Sequence, residues 1–120
     1  MDVGGKPVSI ELTCADKLKV LSDKTRLSVM ECLMDEPSHV GRLAEILEVE
    51  QSLLSHHLKV LREAGLVISD RDGKSVLYKA APGTEVAGAE NTINLGCCRL
   101  VFDPEQKRKR RELIASKHSK

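Results

Sequence analysis

The chain has 120 residues, with 19 Lys and Arg against 18 Asp and Glu. This length predicts one domain with a single core, and it excludes large enzyme scaffolds such as the TIM barrel, which needs about 250 residues. Aromatic residues make up only 2% of the chain, so the core must be aliphatic, and an aromatic platform for stacking RNA bases is excluded.

Basic residues are concentrated at the end of the sequence. Residues 104–120 carry seven Lys and Arg and two Glu, a net charge of +5, whereas residues 1–103 carry 12 basic and 16 acidic residues. A polyanionic partner is therefore compatible with a net charge of only +1. The sequence has neither the apolar run of a membrane span nor that of a signal peptide. We expect a cytoplasmic protein whose four cysteines are thiols rather than disulfides.

Helical spacing of apolar residues predicts four helices in the first half of the chain. The first begins near Ser9, the second follows the cap Ser22-Asp23, and the third follows Ser38 as its cap. The fourth is predicted from Gln51 to Ala64, because Gly65 stands where a left-handed C-cap belongs.

A β-hairpin is predicted directly after the fourth helix. Two β-rich runs between residues 66 and 79 flank Asp72-Gly73, a preferred dipeptide of two-residue hairpin turns. Residues 84–92 have no clear period, and residues 93–102 are typical of strand or coil. Asp103-Pro104 predicts the start of another helix.

The fourth helix has two faces of different chemistry. Its leucines recur at helical spacing on one side, whereas short hydroxyls, an imidazole and a cation lie on the opposite side. Such groups suit a helix in the major groove of DNA, where they meet base edges and phosphates. The hairpin adds cations that bracket its tip. The predicted DNA-binding residues are Gln51, Ser52, Ser55, His56, Lys59, Arg71 and Lys74.

The stretch from Leu54 to Val67 resembles the recognition helix and wing entry of the ArsR/SmtB family of winged-helix repressors. Residues 21–27 are similar to the family's signature on the second helix, with Lys24 where Pro is usual, and residues 70–78 are similar to its wing. The resemblance implies a mainly α, winged helix–turn–helix homodimer that binds a palindromic operator. It divides the chain into a flexible N-terminus (1–8), an ArsR-type domain (9–103) and a basic helix or tail (104–120).

The family's usual sensing residues are replaced in this chain. Where the family has two cysteines separated by one residue on the third helix, the sequence reads His39-Val40-Gly41. Its zinc site needs histidine on a last helix, but residues 84–103 contain no histidine. The terminal dimer helix is also not evident in residues 84–102.

Cys97-Cys98 is the remaining candidate for a sensing site. Adjacent thiols suit soft ions such as As(III), Cd(II) or Cu(I), and some family members sense arsenite through adjacent cysteines. Neighbours on a regular strand point to opposite faces, so both sulfurs can hold one ion only if Gly96 makes the chain irregular. A third ligand is expected from Cys14 or Cys32. Packing and redox sensing are the alternatives for the pair, and Cys32 is expected in the core.

These features predict a repressor, not an enzyme, that a soft metal or metalloid (arsenite, Cd, Cu or Zn) releases from double-stranded operator DNA. No organic cofactor and no membrane partner are expected. The alternatives are a redox-responsive repressor of the same fold, a metal or thiol carrier, and a protein-interaction module.

Overall fold

Four helices form the first half of the described chain. In the computed structural model, which describes residues 13–86 and 88–105, these are α1 (Cys14–Val20), α2 (Lys24–Asp35), α3 (Val40–Leu47) and α4 (Gln51–Glu63). The presence of α2, α3 and α4 confirms the second, third and fourth helices that the sequence predicts. α1 begins after Thr13, whose side chain and that of Asp16 form a reciprocal capping box. The predicted start near Ser9 is too early, because Thr13 has an extended backbone and the helix begins only after it; residues 9–12 lie outside the described residues.

The helix caps follow the sequence in two cases and depart from it in one. Asp23 caps α2 by accepting a hydrogen bond from the Arg26 N–H at 3.0 Å. Gly65, with φ of 79°, ends the α4 segment in the left-handed conformation as predicted. The cap predicted at Ser38 is wrong, because Ser38 belongs to a short strand and His39 precedes α3 without a side-chain cap bond.

The predicted hairpin is the wing of a three-stranded antiparallel sheet. Its strands are β1 (Ser38–His39), β2 (Val67–Asp72) and β3 (Ser75–Ala80), in the order β1-β3-β2. Asp72 pairs with Ser75, so the two loop residues are Gly73 and Lys74 rather than Asp72 and Gly73. Gly73 has a φ of 65°, which suits glycine in such a turn.

A second antiparallel sheet occupies the region where the family's dimer helix was not evident. It consists of β4 (Glu85–Val86), β5 (Ala89–Asn94) and β6 (Arg99–Val101), in the order β4-β5-β6. Ile93 and Leu95, two positions apart and therefore on one face, are 0% and 3% exposed. The sheet thus adds its apolar face to the helical core. Residues 93–94 and 99–101 are strand and residues 95–98 lie outside the strands, which confirms the expectation of strand or coil for residues 93–102.

The core is aliphatic, as the near absence of aromatic residues requires. α2 and α4 supply most of its completely buried side chains, and the two sheets close it. Asp103 accepts a hydrogen bond from the Glu105 N–H at 3.0 Å, which agrees with the predicted helix start. The basic segment beyond it, residues 106–120, lies outside the described residues. The largest completely buried core residues are Met30, Leu43, Leu54, Leu58, Leu61, Ile93, Val29 and Val67.

Replacing Asp23 by Ala should destabilise the fold by about 1 kcal/mol, because an N-H group of α2 loses its cap. The hydrogen bond from Arg26 N–H holds the pKa of the Asp23 carboxyl below its usual range. A lowered pKa stabilises the fold above the unfolded-state pKa of about 4, and this stabilisation is lost as the pH falls through the folded-state pKa. Asp23→Asn keeps a capping oxygen without the charge. Urea unfolding at pH 7 and pH 3 should therefore show the advantage of wild type over Asp23→Asn shrinking at low pH. Equal stability of Asp23→Ala and wild type at pH 7 would contradict the cap.

Candidate nucleic-acid interface and thiol cluster

α4 presents one buried stripe and one polar face. Leu54, Leu58 and Leu61 are completely buried against the core. The helix has this geometry because its apolar residues recur every three or four positions. The predicted DNA-contacting residues of the helix are all exposed on its outer side: Gln51, Ser52, Ser55, His56 and Lys59. This face is therefore available to a groove of DNA.

His57 belongs to the buried side of α4 and not to the polar face. Its side chain is 9% exposed, and its Nδ1 has no hydrogen-bond partner among the described residues. His57 is therefore buried and does not belong to the face that is available to DNA.

The wing carries two exposed cations at its tip. Arg71 lies on β2 and Lys74 in the two-residue loop, and both are exposed. Lys79, lower on the wing, forms an ion pair with Asp70 at 2.7 Å. The tip cations are thus placed to meet a phosphate backbone beside the groove that α4 would enter.

Lys74→Ala should weaken DNA binding about equally on all sequences and reduce the slope of log affinity against log salt by about 1. Lys79→Ala is the matched control, because Lys79 already has a carboxylate partner on the wing and should change the slope less. The measurement is fluorescence anisotropy of a labelled duplex across a salt series. An unchanged slope for Lys74→Ala would remove Lys74 from the interface.

Three cysteine sulfurs meet between α1 and the turn that joins β5 to β6. Cys14 and Cys97 form a disulfide, with Cα atoms 5.8 Å apart. The Sγ of Cys98 lies 3.4 Å from that of Cys14 and 4.0 Å from that of Cys97. The three predicted metal ligands are therefore together, with all Sγ atoms within 4.8 Å of one another. The expectation that all four cysteines are thiols is wrong in this structure, because the fold brings the Cys14 and Cys97 sulfurs into bonding contact.

The Cys97-Cys98 pair converges because the chain turns there. Gly96 has a φ of 89°, which a residue with a side chain rarely adopts. The Leu95 N–H donates to the Cys98 carbonyl at 2.9 Å and closes the turn. The irregularity that the pair needs is thus present at Gly96.

Sequence reasoning missed the contact that joins α1 to this turn. The Nζ of Lys17 donates a hydrogen bond to the Leu95 carbonyl at 2.9 Å. Lys17 follows Cys14 by three residues, which places both side chains on one side of α1. That spacing was the available signal, but the acceptor is a backbone atom and has no signature in the sequence.

The other candidate sensing residues do not join the cluster. Cys32 is half-buried and packs against the core, as expected. The Nδ1 of His39 lies 2.9 Å from the Val76 carbonyl, which ties α3 to the wing. Among the residues that the structure describes, the cluster with metal-ligating geometry is the one formed by Cys14, Cys97 and Cys98.

A metal ion in this cluster would need the same sulfurs that the disulfide joins. A soft ion needs deprotonated thiols, and the Cys14–Cys97 bond leaves only Cys98 as a thiol in the cluster. Two-electron reduction would supply three thiols. Three thiolates suit As(III), Cd(II) or Cu(I) better than hard cations, which prefer oxygen ligands.

Residues 23–69 match the family described as "Bacterial regulatory protein, arsR family". The chain is 44% identical over 64 residues to the HTH-type transcriptional regulator NmtR of Mycobacterium tuberculosis, covering 53% of each chain. It is 39% identical over 61 residues to the cadmium resistance transcriptional regulatory protein CadC of Listeria innocua, covering 50% of this chain and 51% of CadC. The chain thus spans about half the length of these curated relatives.

The fold agrees with these matches. The structure of HlyU from Vibrio cholerae is similar with a TM-score of 0.54 and 36% identity, over 56% of this chain and 73% of HlyU. Among the described residues, no helix has the length and apolar character that crossing a membrane requires. From its motif, its helix order and its wing, the chain belongs to the ArsR family of bacterial regulatory proteins and has their winged helix–turn–helix fold.

Proposed function

We propose that this protein is a sequence-specific DNA-binding transcriptional repressor. The observation that carries the proposal is the exposed polar face of α4, with Ser55, His56 and Lys59 opposite a buried leucine stripe. Serine and histidine can exchange hydrogen bonds with base edges, and lysine can meet phosphate or guanine acceptors. The cationic wing tip directly after α4 supplies the neighbouring backbone contact.

The functional unit in this proposal is a homodimer on double-stranded operator DNA. A single recognition helix reads only a few base pairs, so two copies related by a twofold axis would read a palindrome whose half-sites are about one helical turn apart. The predicted basic segment at 104–120 would add sequence-independent affinity for phosphate. The proposed location is the cytoplasm, where the DNA lies.

The proposed inducer is a soft metal or metalloid bound by Cys14, Cys97 and Cys98. Arsenite would react with the three thiols to form three As–S bonds, and its three oxygens would leave as water. Cd(II), Cu(I) or Zn(II) would instead displace the thiol protons. Support comes from the convergence of the three sulfurs and from the similarity to CadC, whose name refers to cadmium resistance.

A second candidate function is redox-responsive repression by the same fold. The Cys14–Cys97 disulfide favours it. Its formation from two thiols releases two electrons and two protons, so it requires an oxidant such as a peroxide or a small disulfide. In this alternative the covalent link itself, and not an ion, would alter the geometry of the dimer.

A gel shift on the DNA upstream of the protein's own coding region tests both functions. The reduced protein should bind this DNA but not a scrambled duplex of equal length. Arsenite or Cd(II) should release the reduced protein under the first function, whereas an oxidant should release it without any ion under the second. Absence of sequence-preferring binding would overturn both and would favour a carrier or a protein-interaction module.

A further inference from the structure

α1 is held against the rest of the fold mainly by one side. None of its seven residues is buried, and Cys14, Lys17 and Val20 are the half-buried ones. Val20 packs against the core at the end of the helix. Cys14, near the opposite end, meets the turn between β5 and β6 through its sulfur contacts. Where the helix begins, its position therefore depends on the cysteine cluster.

Reduction removes the covalent part of this attachment. Two polar contacts of this part of α1 with the turn do not depend on the disulfide: the 3.4 Å contact between the sulfurs of Cys14 and Cys98, and the stronger 2.9 Å hydrogen bond from the charged Lys17 Nζ to the Leu95 carbonyl. Leu95 is held in place, because the residue is only 3% exposed in the core and its N–H donates a hydrogen bond to the Cys98 carbonyl. A bond to Leu95 therefore fixes Lys17 relative to both cysteines of the turn.

The positive charge of Lys17 also lies against the turn that carries Cys97 and Cys98. Its Nζ lies 3.9 Å from the point where a β-carbon on Gly96 would stand, and Gly96 precedes Cys97 in the chain. Three thiolates gathered at one point repel one another, and a neighbouring ammonium group offsets part of that repulsion. A hydrogen bond from a charged donor is also stronger than one from a neutral donor.

We infer that Lys17 is the positioning residue of the three-sulfur cluster: it holds Cys14 against the Cys97-Cys98 turn when the disulfide is open. The part of this inference that concerns metal ions rests on the proposed function. The part that concerns how closely the thiols are held does not, because it can be measured without any ion.

The first test measures how readily the Cys14–Cys97 disulfide forms in glutathione redox buffers. Each oxidised glutathione takes two electrons from the two thiols and leaves as two reduced glutathiones, so the equilibrium gives the effective concentration of one thiol at the other. Lys17→Met should lower this effective concentration about tenfold, the effect of losing one hydrogen bond to a charged donor. Lys17→Arg should restore it to within about threefold, since it keeps a cationic donor. Lys19→Met, an exposed lysine on the same helix, should leave it unchanged.

The second test counts the thiolates on Cd(II) in the reduced protein, from the intensity of the sulfur-to-cadmium charge-transfer band per bound ion. If Cys14 no longer lies against the Cys97-Cys98 turn in Lys17→Met, the ion keeps two of its three thiolate ligands. The intensity of the band should then fall by about one third. Lys17→Arg should recover the band. Far-UV circular dichroism and urea unfolding of the reduced, ion-free variants verify that they are folded.

The outcomes separate the two proposals. Wild type that fails to bind Cd(II) would overturn the metal-responsive function, and the glutathione equilibrium would still decide the role of Lys17. If folded Lys17→Met matches wild type in the glutathione equilibrium, Lys17 does not position the cluster. An equal loss in Lys17→Met and Lys19→Met would also overturn the inference, because the effect would then belong to helix charge and not to the bond with Leu95.

Discussion

The double change Cys97→Ser/Cys98→Ser is expected to leave operator binding intact and to abolish release by arsenite or Cd(II). The cysteines lie in the turn between β5 and β6 and belong neither to α4 nor to the wing, so their loss removes none of the proposed DNA contacts. Serine hydroxyls do not replace thiolates for a soft ion. With only Cys14 left in the cluster, the ion would lose two of its three ligands. Operator affinity measured across an ion titration should therefore stay constant in the variant.

Cys32→Ala is the matched control for this experiment. Cys32 packs against the core and lies outside the three-sulfur cluster, so the variant should still be released. Release of Cys97→Ser/Cys98→Ser at the same ion concentration as wild type would assign the pair to packing alone. Single changes at Cys14 and Cys32 would then locate the ligands.

The double change Ser55→Ala/His56→Ala should weaken operator binding strongly while the protein stays folded. Both side chains are exposed on the outer face of α4, so their removal creates no cavity. Each residue that reads a base should cost about 1–3 kcal/mol, which corresponds to a loss of roughly 5- to 150-fold. Affinity for a scrambled duplex, which depends on phosphate contacts, should change little.

Comparing the affinities for the operator and the scrambled duplex distinguishes base recognition from sequence-independent attraction to phosphates. If both affinities fall equally, Ser55 and His56 meet phosphates and carry no sequence information. Unchanged operator affinity in the folded double variant would remove both residues from the interface and would leave Gln51, Ser52 and Lys59 as the candidates on α4.

The helices and the wing were largely predictable because their signals are local. The leucine spacing of α4 sets which face is buried, so the same periodicity identifies the exposed face. Gly65 marks the end of the helix, since a left-handed residue is needed there. The turn chemistry around Gly73 predicts the wing, although the strand register moves the loop forward by one residue.

Contacts between distant parts of the chain were less predictable. Cys14 and Cys97 are separated by 83 positions, and no periodicity reports which distant residues meet. Their convergence was anticipated only through the chemistry of soft-ion ligands. The role of Ser38 was misassigned because pairing with Tyr78 draws it into β1, and this tertiary contact overrides a local capping preference. The second sheet has short strands, and part of it lies in residues 84–92, where the sequence has no clear period.

An ion in the three-sulfur cluster and operator DNA are expected to weaken each other's binding to the same protein molecule. Thermodynamic linkage makes this testable from the side of the ion, because each ligand must weaken the other by the same factor. The decisive measurement is a titration of Cd(II) into reduced wild-type protein, once free and once saturated with operator DNA, followed through the sulfur-to-cadmium band. We predict that the DNA-bound protein binds the ion about 100-fold more weakly, a coupling of about 2.7 kcal/mol. Equal affinity in the two titrations would contradict the claim, because a ligand that binds both states equally shifts neither.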